Sequence, residues 1–333
     1  MSLDIFNPVV STVSYDMQGK TFLVYGSNRT GKTAQACRFP KPYYLAFEKG
    51  INGIAGVPFA PIQKWSDFVK INKQLTNPKT LEQAKQLYQT VIFDTVQAAA
   101  LMCEDFICQL YGVNRIKDGN SGYGLYKEYA DEFARQINLL TSVGYTVIFI
   151  SHETTRTFRD ENGEEYEKIY PAGDKRSIDP ICDLVDIIGY AAVNGLDENG
   201  NEIKSSLYLK NTKKYHAGSR FPYLTGYIEE FTAENLQKAV AEAVKKQEKI
   251  EGIKTVDFQT QNQQYANEEL TFEELQQSIK EIAIKLNETG RMDEYQEIVD
   301  NYLGVGKRVS EATKKQRQQL ELILNDLQML EIE

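Results

Sequence analysis

The segment that most constrains the fold of this chain is residues 21–33, TFLVYGSNRTGKT, in which an apolar run leads directly into the pattern G-x-x-x-x-G-K followed by Ser or Thr. In such a pattern the glycines allow backbone N–H groups to surround phosphates, the lysine brings a positive charge to the β- and γ-phosphates, and the hydroxyl binds Mg²⁺. The segment therefore predicts a site for a nucleoside triphosphate and Mg²⁺. The predicted phosphate-binding residues are Gly26, Ser27, Asn28, Arg29, Thr30, Gly31, Lys32, Thr33 and Ala34.

The residues on either side of this segment help to decide between a nucleotide site and an incidental glycine-rich turn. Residues 22–25 have the uniform apolar character of a buried strand, and residues 34–38 have a helical pattern. A phosphate-binding loop of this type connects a strand to a helix. We therefore favour the nucleotide site over a turn in which the lysine has no role.

The rest of the first 244 residues alternates between apolar strands and amphipathic helices. Predicted strands are residues 22–25, 43–47, 90–94, 146–151, 186–193 and 206–209, and predicted helices are residues 65–74, 80–89, 96–110 and 126–140. Strands that are apolar on both faces and separated by helices indicate an α/β fold with a mainly parallel sheet sandwiched by helices. Asn-Gly pairs predict two hairpin turns, at residues 160–165 and 196–201.

Composition changes near residue 245, which divides the chain into three predicted parts. Residues 1–244 form a large α/β domain, residues 245–270 are polar and Gln-rich and predict a linker, and residues 271–333 predict a small C-terminal helical module. In the module, Thr271 and Glu274 have the spacing of a capping box that opens a helix. The module has no catalytic signature, so it is either a bundle that aids solubility or assembly or a docking unit for another protein.

Overall composition excludes several classes of protein. No apolar run reaches the roughly 18 residues of a membrane span and the N-terminus lacks a signal-peptide arrangement, so we expect a cytoplasmic protein without membrane contact. Four cysteines without C-x-x-C spacing and two histidines predict free, buried thiols rather than disulfides or a zinc cluster. The net charge of −9 argues against a surface that is basic overall, but it leaves room for local basic loops.

Three polar residues follow or end predicted strands and are candidates for the chemistry. Asp94 ends the strand TVIFD, where a carboxylate would support Mg²⁺ beside Thr33; its alternative role is to cap the next helix. Glu48 follows the second strand, at the carboxyl edge where ligands bind, and is our candidate for activating water rather than a solvated carboxylate paired with Lys49. His152 follows the strand TVIFIS, where it would sense the γ-phosphate or simply make a local hydrogen bond.

Five segments of the chain resemble the RecA-like, AAA-type P-loop ATPases, and most closely the phage-encoded single-strand annealing and recombination ATPases. These segments are GSNRTGKT, FEKG with Glu48, VIFDT with Asp94, ISHE with His152, and LKNTKKYHAGSRFPYLTGYIEE with Lys210. The resemblance covers roughly residues 10–232. It implies a RecA-like fold, ATP and Mg²⁺ as cofactors, and a homo-oligomer with nucleotide at the subunit interfaces.

The resemblance also implies roles for individual residues. Glu48 would activate water, His152 would sense the γ-phosphate, and Lys210 would reach the nucleotide of a neighbouring subunit, with Lys213 as a weaker candidate for that contact. The chain differs from many bacterial recombinases, which have glutamine at the place of His152. The segment before residue 21 is too short for their N-terminal oligomerisation domain, so a filament and a ring or short arc are both open.

Two segments occupy the places where this family has its DNA-binding loops. The first, residues 112–129, is glycine-rich and combines cations with tyrosines, which suit the phosphates and bases of a single strand. The second, residues 154–176, is rich in basic residues, although its acidic residues also fit a loop that is merely solvated. The predicted DNA-binding residues are Arg115, Lys117, Tyr123, Tyr126 and Lys127 in the first segment and Arg156, Arg159, Lys175 and Arg176 in the second.

We therefore predict an Mg²⁺-dependent ATPase that binds single-stranded DNA as a homo-oligomer and promotes annealing or strand pairing in phage-type recombination. The predicted catalytic residues are Lys32, Glu48, His152 and Lys210, and the predicted metal-binding residues are Thr33 and Asp94. A single-strand DNA-binding protein or another recombination protein is a further expected partner, through the C-terminal module. Two alternatives stay open: a P-loop kinase or other phosphotransferase with residues 154–176 as a lid, and a nucleotide-gated DNA-binding protein whose hydrolysis is incidental.

Overall fold

The structure is a computed structural model that describes residue 6 and residues 8–196, 198–200, 203–263 and 270–332. The chain forms two compact units. The larger unit is Val9–Gln264, and the smaller one combines Met1–Pro8 with Tyr265–Glu333. None of the described helices has the length and apolar character needed to cross a membrane.

Strands and helices alternate along most of the larger unit. The strands are β1 (Val13–Ser14), β2 (Thr21–Gly26), β3 (Pro42–Ala46), β4 (Phe59–Pro61), β5 (Thr90–Asp94), β6 (Thr146–Ser151), β7 (Glu153–Arg159), β8 (Glu165–Pro171), β9 (Ile187–Ala192), β10 (Ser206–Tyr208), β11 (Gly218–Ser219), β12 (Tyr227–Ile228) and β13 (Thr255–Val256). The helices are α1 (Lys32–Ala36), α2 (Trp65–Thr76), α3 (Pro78–Leu87), α4 (Val96–Tyr111), α5 (Tyr126–Ser142), α6 (Lys175–Leu184), α7 (Ala233–Glu251) and α8 (Phe258–Gln263).

The central sheet has the strand order β12-β10-β9-β2-β6-β5-β3-β4, with β11 paired to β9. Strands β9, β2, β6, β5, β3 and β4 are parallel neighbours, whereas β10, β11 and β12 pair in antiparallel fashion at one end. Strand β6 therefore separates β2, which leads into the phosphate-binding pattern, from β5, which ends at Asp94. The predicted α/β fold with a mainly parallel sheet is confirmed.

Helices cover both faces of this sheet, which explains why its strands are apolar on both sides. The large aromatic side chains buried on one face are Trp65, Phe68, Phe93, Phe133 and Phe149. On the other face the buried residues include Phe22, Ile92, Ile148, Leu236 and Val240. Full burial of each such side chain stabilises the fold by about 1.5–3 kcal/mol, so this sandwich fixes where the strand ends lie.

The predicted hairpin at residues 160–165 is confirmed, because β7 and β8 pair in antiparallel register as a separate two-stranded sheet. We call residues 153–171 the ribbon. The segment predicted as a basic loop, residues 154–176, is therefore mostly regular structure that ends in the first turn of α6. The second predicted turn, residues 196–201, lies between β9 and β10, and its residues 197 and 201 fall outside the described part of the chain.

Residues 245–263 differ from the polar linker that the sequence predicts. Helix α7 continues to Glu251, β13 pairs with β1, and α8 follows. The Phe258 backbone N–H donates to Asp16 Oδ2 at 3.0 Å, and Gln261 Nε2 donates to Thr12 O at 2.7 Å. The segment is held to β1 by the pairing of β13 and by the buried ring of Phe258. Neither feature gives a periodic apolar pattern in the sequence. Residues 264–269 of the predicted linker lie outside the described residues.

The smaller unit is a helical module, as predicted. Its helices are α9 (Phe272–Glu288), α10 (Met292–Leu303) and α11 (Arg317–Ile332). Both hydrogen bonds of the predicted capping box are formed between Thr271 and Glu274. The apolar faces of the helices meet in a core that includes Leu275, Ile279, Ile282, Leu286, Val299, Leu320, Ile323, Leu324 and Leu327.

Candidate functional site

The phosphate-binding pattern folds as a tight loop between β2 and α1. Gly26 has a φ of 153°, and a Cβ atom there would lie 2.1 Å from the carbonyl oxygen of Ala191, so a side chain would collide with β9. Gly31 has a φ of 77° and forms the N-cap of α1. Both glycines therefore adopt backbone conformations that other residues rarely reach.

Lys32 is only 7% exposed and is enclosed by this loop. Its ammonium group donates to the carbonyl oxygens of Gly26 at 2.9 Å and Ser27 at 2.7 Å, and to Thr30 Oγ1 at 3.2 Å. Burial lowers the pKa of Lys32 to about 8, while the nearby Asp94 carboxylate favours the charged form. A polyphosphate in the loop would offer the ammonium group charged oxygens, which bind it more strongly than neutral ones.

Asp94 lies at the end of β5 and is 1% exposed. Thr33 Oγ1 donates to Asp94 Oδ2 at 2.7 Å, so the two residues predicted to bind Mg²⁺ are in direct contact. Burial raises the pKa of Asp94, and hydrogen bonds from Thr33 and Tyr44 oppose that rise. Mg²⁺ prefers oxygen ligands, and here a hydroxyl and a carboxylate lie side by side. Thr33 and Asp94 therefore fit a site for this metal.

Glu48 and His152 lie beside each other at the ends of β3 and β6. Glu48 Oε1 is 3.7 Å from His152 Nε2, and Glu48 Oε2 accepts a hydrogen bond from Thr95 Oγ1 at 3.2 Å. Both side chains are 39% exposed, so solvent reaches the pair. A carboxylate held by one hydroxyl and open to solvent is able to orient a water molecule.

The loop and these side chains surround one cavity of about 250 Å³. Its lining residues are Asn28, Arg29, Thr30, Gly31, Lys32, Thr33, Ala34, Glu48, Gly50, Ile54, Asp94, Ile150 and His152. The cavity therefore lies at the carboxyl edge of the parallel strands, where open α/β sheets bind their ligands. A lysine, a hydroxyl and two carboxylates around one cavity form a set of groups suited to a metal-bound polyphosphate.

The sequence matches the AAA domain family over residues 18–221. The chain belongs to this family. It is 50% identical over 330 residues to the SPbeta prophage-derived uncharacterized protein YorG of Bacillus subtilis (strain 168), and the match covers 99% of each chain. The KaiC-like protein PH0186 of Pyrococcus horikoshii OT3 is similar in structure with a TM-score of 0.32 and 11% identity, over 61% of this chain and 83% of that one.

His152 connects the cavity of this AAA domain to the ribbon. The residue after it is the first of β7. At the other end of the ribbon, the Ala172 N–H donates to His152 O at 2.8 Å, and the Ser151 hydroxyl donates to Ala172 O at 2.9 Å. The start of β7 and the residue after β8 are therefore held next to each other at Ser151 and at His152, the residue that faces Glu48.

Tyr44 and Gly50 are among the residues of this AAA domain site that the sequence does not predict. Tyr44 OH donates to Asp94 Oδ2 at 3.0 Å, and Gly50 lies against that hydroxyl at the cavity. A tyrosine inside an apolar strand indicates a core residue, and no spacing pattern marks it as polar. The glycine of FEKG is visible in the sequence, but its partner is brought to it only by the fold.

The first predicted DNA-binding segment of this AAA domain, residues 112–129, comprises the connection between α4 and α5 and the first turn of α5, and it is largely exposed. The exposed predicted side chains are Arg115, Lys117, Tyr123, Tyr126 and Lys127. Tyr123 is 85% exposed, and the guanidinium carbon of Arg176 lies 4.3 Å from the centre of the Tyr126 ring. The two predicted segments therefore meet at this cation–π contact.

The predicted cations of the ribbon have very different surroundings. Arg156 is 16% exposed; its guanidinium is 2.7 Å from Asp179 Oδ1 and stacks on Tyr170. Arg159 is 73% exposed and is paired with Glu165 at 2.8 Å. Arg156 thus serves the packing of the ribbon base, which the sequence does not predict. Lys175 and Arg176 are exposed in the first turn of α6.

Lys210 and Lys213 lie outside the lining of the cavity. Lys210 follows β10 and is exposed, and its side chain packs on Gly226, where a Cβ atom would lie 3.0 Å from Lys210 Cδ. Lys213 is 76% exposed and 3.4 Å from Asp160 Oδ2. Neither lysine reaches the cavity of its own chain, so a role for them in hydrolysis requires a neighbouring subunit.

Proposed function

We propose that the chain is an Mg²⁺-dependent ATPase that binds single-stranded DNA as a homo-oligomer and promotes annealing or strand pairing in phage-type recombination. The observation that supports this best is the position of His152. It faces Glu48 in the cavity, its backbone continues directly into β7, and its carbonyl oxygen accepts a hydrogen bond from Ala172, the residue after β8. A nucleotide that moves His152 would therefore move the ribbon. Such a connection would allow nucleotide binding to change the affinity of the protein for a second ligand.

Hydrolysis in this proposal uses the groups around the cavity. Lys32 would bind the β- and γ-phosphates, and Thr33 with Asp94 would hold Mg²⁺, which neutralises phosphate charge when bound. Glu48 would accept a proton from water or orient the water for attack, since its carboxylate is open to solvent and fixed by Thr95. His152 would respond to the γ-phosphate through its contact with Glu48.

The proposed contacts with single-stranded DNA lie mainly in the first segment. Its cations Arg115, Lys117 and Lys127 are exposed, and so is the face of Tyr123. Exposed cations bind phosphates and exposed rings stack on bases, so this composition suits a single strand without sequence preference. Arg176 extends the surface through its contact with Tyr126. The second segment should contribute less to DNA binding, because the turn between β7 and β8 carries the acidic residues Asp160, Glu161 and Glu164.

The proposed oligomer brings Lys210 to the nucleotide of a neighbouring subunit. A cation supplied in this way raises turnover by about 10³–10⁵ in well-studied phosphoryl-transfer enzymes. Mixing Lys210→Ala with Lys32→Ala protein tests the arrangement, because some interfaces then combine an intact Lys32 with an intact Lys210. Partial recovery of turnover is expected, and no recovery in mixed oligomers would place the whole site within one chain.

The decisive experiment measures ATP turnover with and without a short single-stranded oligonucleotide, at low and moderate salt. We expect the oligonucleotide to raise turnover, and Lys32→Ala to remove turnover under both conditions. If the oligonucleotide does not change ATP turnover but nucleotide changes the affinity for DNA, the result would support a nucleotide-gated DNA-binding protein. Phosphate transfer to a small acceptor would support a kinase, although the paired and partly acidic ribbon lacks the free arginines of a kinase lid.

A further inference from the structure

Tyr44 is a buried tyrosine whose hydroxyl points at the metal-binding carboxylate. It lies in β3 and is 0% exposed. Its hydroxyl donates to Asp94 Oδ2 at 3.0 Å, and Thr33 Oγ1 donates to the same oxygen at 2.7 Å. Among the described residues, these are the side-chain hydrogen bonds that reach the Asp94 carboxylate, so Oδ1 is the oxygen left for the water shell of a metal ion.

Gly50 leaves the space that this hydroxyl occupies. A Cβ atom at Gly50 would lie 2.8 Å from Tyr44 OH and 3.5 Å from Asp94 Oδ2. The φ of Gly50 is outside the left-handed region, so the backbone does not require glycine here. The absence of a side chain is instead required by the close approach of the tyrosine and the aspartate, since 2.8 Å is shorter than any ordinary carbon contact.

The hydrogen bond from Tyr44 is important because the Asp94 carboxylate is buried. Burial disfavours its charged form and raises its pKa, and the two hydroxyl donors oppose that effect. Thr33 has a second task as the predicted metal ligand. Tyr44 has no access to solvent, so its only described polar partner is Asp94, and it acts as a permanent donor that orients the carboxylate.

We propose that Tyr44 and Gly50 together are positioning residues that hold Asp94 in the orientation needed to bind Mg²⁺ with nucleotide. The proposal rests on the proposed ATPase function and assigns a role to two residues outside the phosphate-binding loop. Tyr44 supplies the hydrogen bond, and Gly50 leaves the space in which that hydrogen bond forms.

The first test measures the affinity of a fluorescent, non-hydrolysable ATP analogue with Mg²⁺ and with EDTA. Tyr44→Phe should reduce the gain in affinity that Mg²⁺ gives by about tenfold, the usual contribution of a hydrogen bond to a charged group, and leave affinity in EDTA unchanged. Tyr43→Phe is the matched control, because Tyr43 is on the same strand but its ring packs against Tyr88, with 4.5 Å between the ring centres. A normal Mg²⁺ gain in Tyr44→Phe would overturn the proposal.

The second test does not depend on the tyrosine variant. Gly50→Ala should push the Tyr44 hydroxyl away from Asp94 and reduce the Mg²⁺ gain in the same way. Gly53→Ala is its control, since a Cβ atom at Gly53 has no neighbour within 4 Å. Equal behaviour of the two alanine variants would contradict the role of Gly50. If the unaltered protein shows no Mg²⁺-dependent nucleotide binding, the proposed function itself fails, which is a different result.

The comparison of Mg²⁺ with EDTA separates positioning from a loss of structure. A general loss of structure would lower the affinity for the ATP analogue in EDTA as well, whereas loss of the hydrogen bond from Tyr44 to Asp94 should lower only the gain that Mg²⁺ gives. Equal losses of affinity with Mg²⁺ and with EDTA in Tyr44→Phe would count against the proposal.

Discussion

The cavity and the ribbon use the same kinds of charged residue in opposite ways. Lys32 and Asp94 at the cavity are 7% and 1% exposed. The Lys32 ammonium group donates hydrogen bonds within its own loop, and Asp94 accepts hydrogen bonds from Thr33 and Tyr44. Arg159 and Glu165 on the ribbon are paired too, but they are 73% and 58% exposed. Water screens the second pair, so it contributes little to stability, whereas the buried groups depend on their partners. The buried charges of the cavity are therefore held by neighbouring groups, whereas the Arg159–Glu165 pair of the ribbon is open to solvent.

The largest difference is expected in ATP turnover, between a Glu→Gln substitution in the cavity and the same substitution in the ribbon. Glu48→Gln should lower ATP turnover by about 10²–10⁴-fold, because an amide cannot accept the proton of the attacking water. Glu165→Gln should leave turnover unchanged, since that carboxylate only pairs with an exposed arginine. Steady-state phosphate release measures both variants.

Nucleotide affinity is the control for this comparison. Glu48→Gln should bind the non-hydrolysable ATP analogue as the unaltered protein does, because the phosphate-binding loop is untouched. Unchanged turnover in Glu48→Gln would show that Glu48 is not the general base and would remove the chemical distinction between the two carboxylates.

The second prediction divides the ribbon itself. Arg156→Ala should lower the free energy of unfolding by about 1–3 kcal/mol, since the guanidinium is partly buried between Asp179 and Tyr170. Arg159→Ala should lower it by less than about 0.5 kcal/mol, as expected for an exposed pair. Denaturant unfolding monitored by circular dichroism measures both. Equal effects would mean that the packing around Arg156 contributes no more to stability than the exposed pair of Arg159 does.

Much of the larger unit follows from local patterns in the sequence. The phosphate-binding loop has fixed spacing, and the strands β2, β5 and β6 are buried along their whole length with apolar residues at their centres, so their places and types are predictable. The carboxyl ends of parallel strands meet at one edge, which is why Glu48, Asp94 and His152 were expected near each other and line one cavity.

Other features depend on contacts between distant parts of the chain. Tyr44 belongs to an apolar strand, and only the fold shows that its hydroxyl meets Asp94, 50 residues away in sequence. Arg156 has the sequence context of an exposed loop, yet Asp179 and Tyr170 enclose it. Residues 255–263 are polar, and their order comes from pairing with residues 12–16. No local pattern records these long-range partners, so the sequence did not predict them.

The third prediction concerns the buried lysine of the cavity. Burial lowers the pKa of Lys32 to about 8, so the free protein loses this charge as the pH rises through that value. Phosphates bind the charged form, so binding at higher pH must take up a proton. Affinity for the ATP analogue should then fall by up to about tenfold per pH unit above the pKa.

The control for this effect is Lys32→Arg, whose guanidinium stays charged in this range. That variant should bind more weakly at neutral pH and lose the dependence on pH. Affinity of the unaltered protein that is constant on both sides of pH 8 would show that Lys32 is not the titrating group.

The smallest effect is expected where the charges are most exposed, in the first predicted DNA-binding segment. Replacing both Arg115 and Lys117 with alanine should reduce the salt slope of single-strand binding by about 1.4, since each lost phosphate contact removes about 0.7. Fluorescence anisotropy of a labelled oligonucleotide over a series of salt concentrations measures the slope. The matched control replaces two exposed cations outside both segments with alanine, Lys73 of α2 and Lys79 of α3. An unchanged slope in the first variant would exclude this segment from the DNA surface and leave Lys175 and Arg176, beside the ribbon, as the next cations to replace.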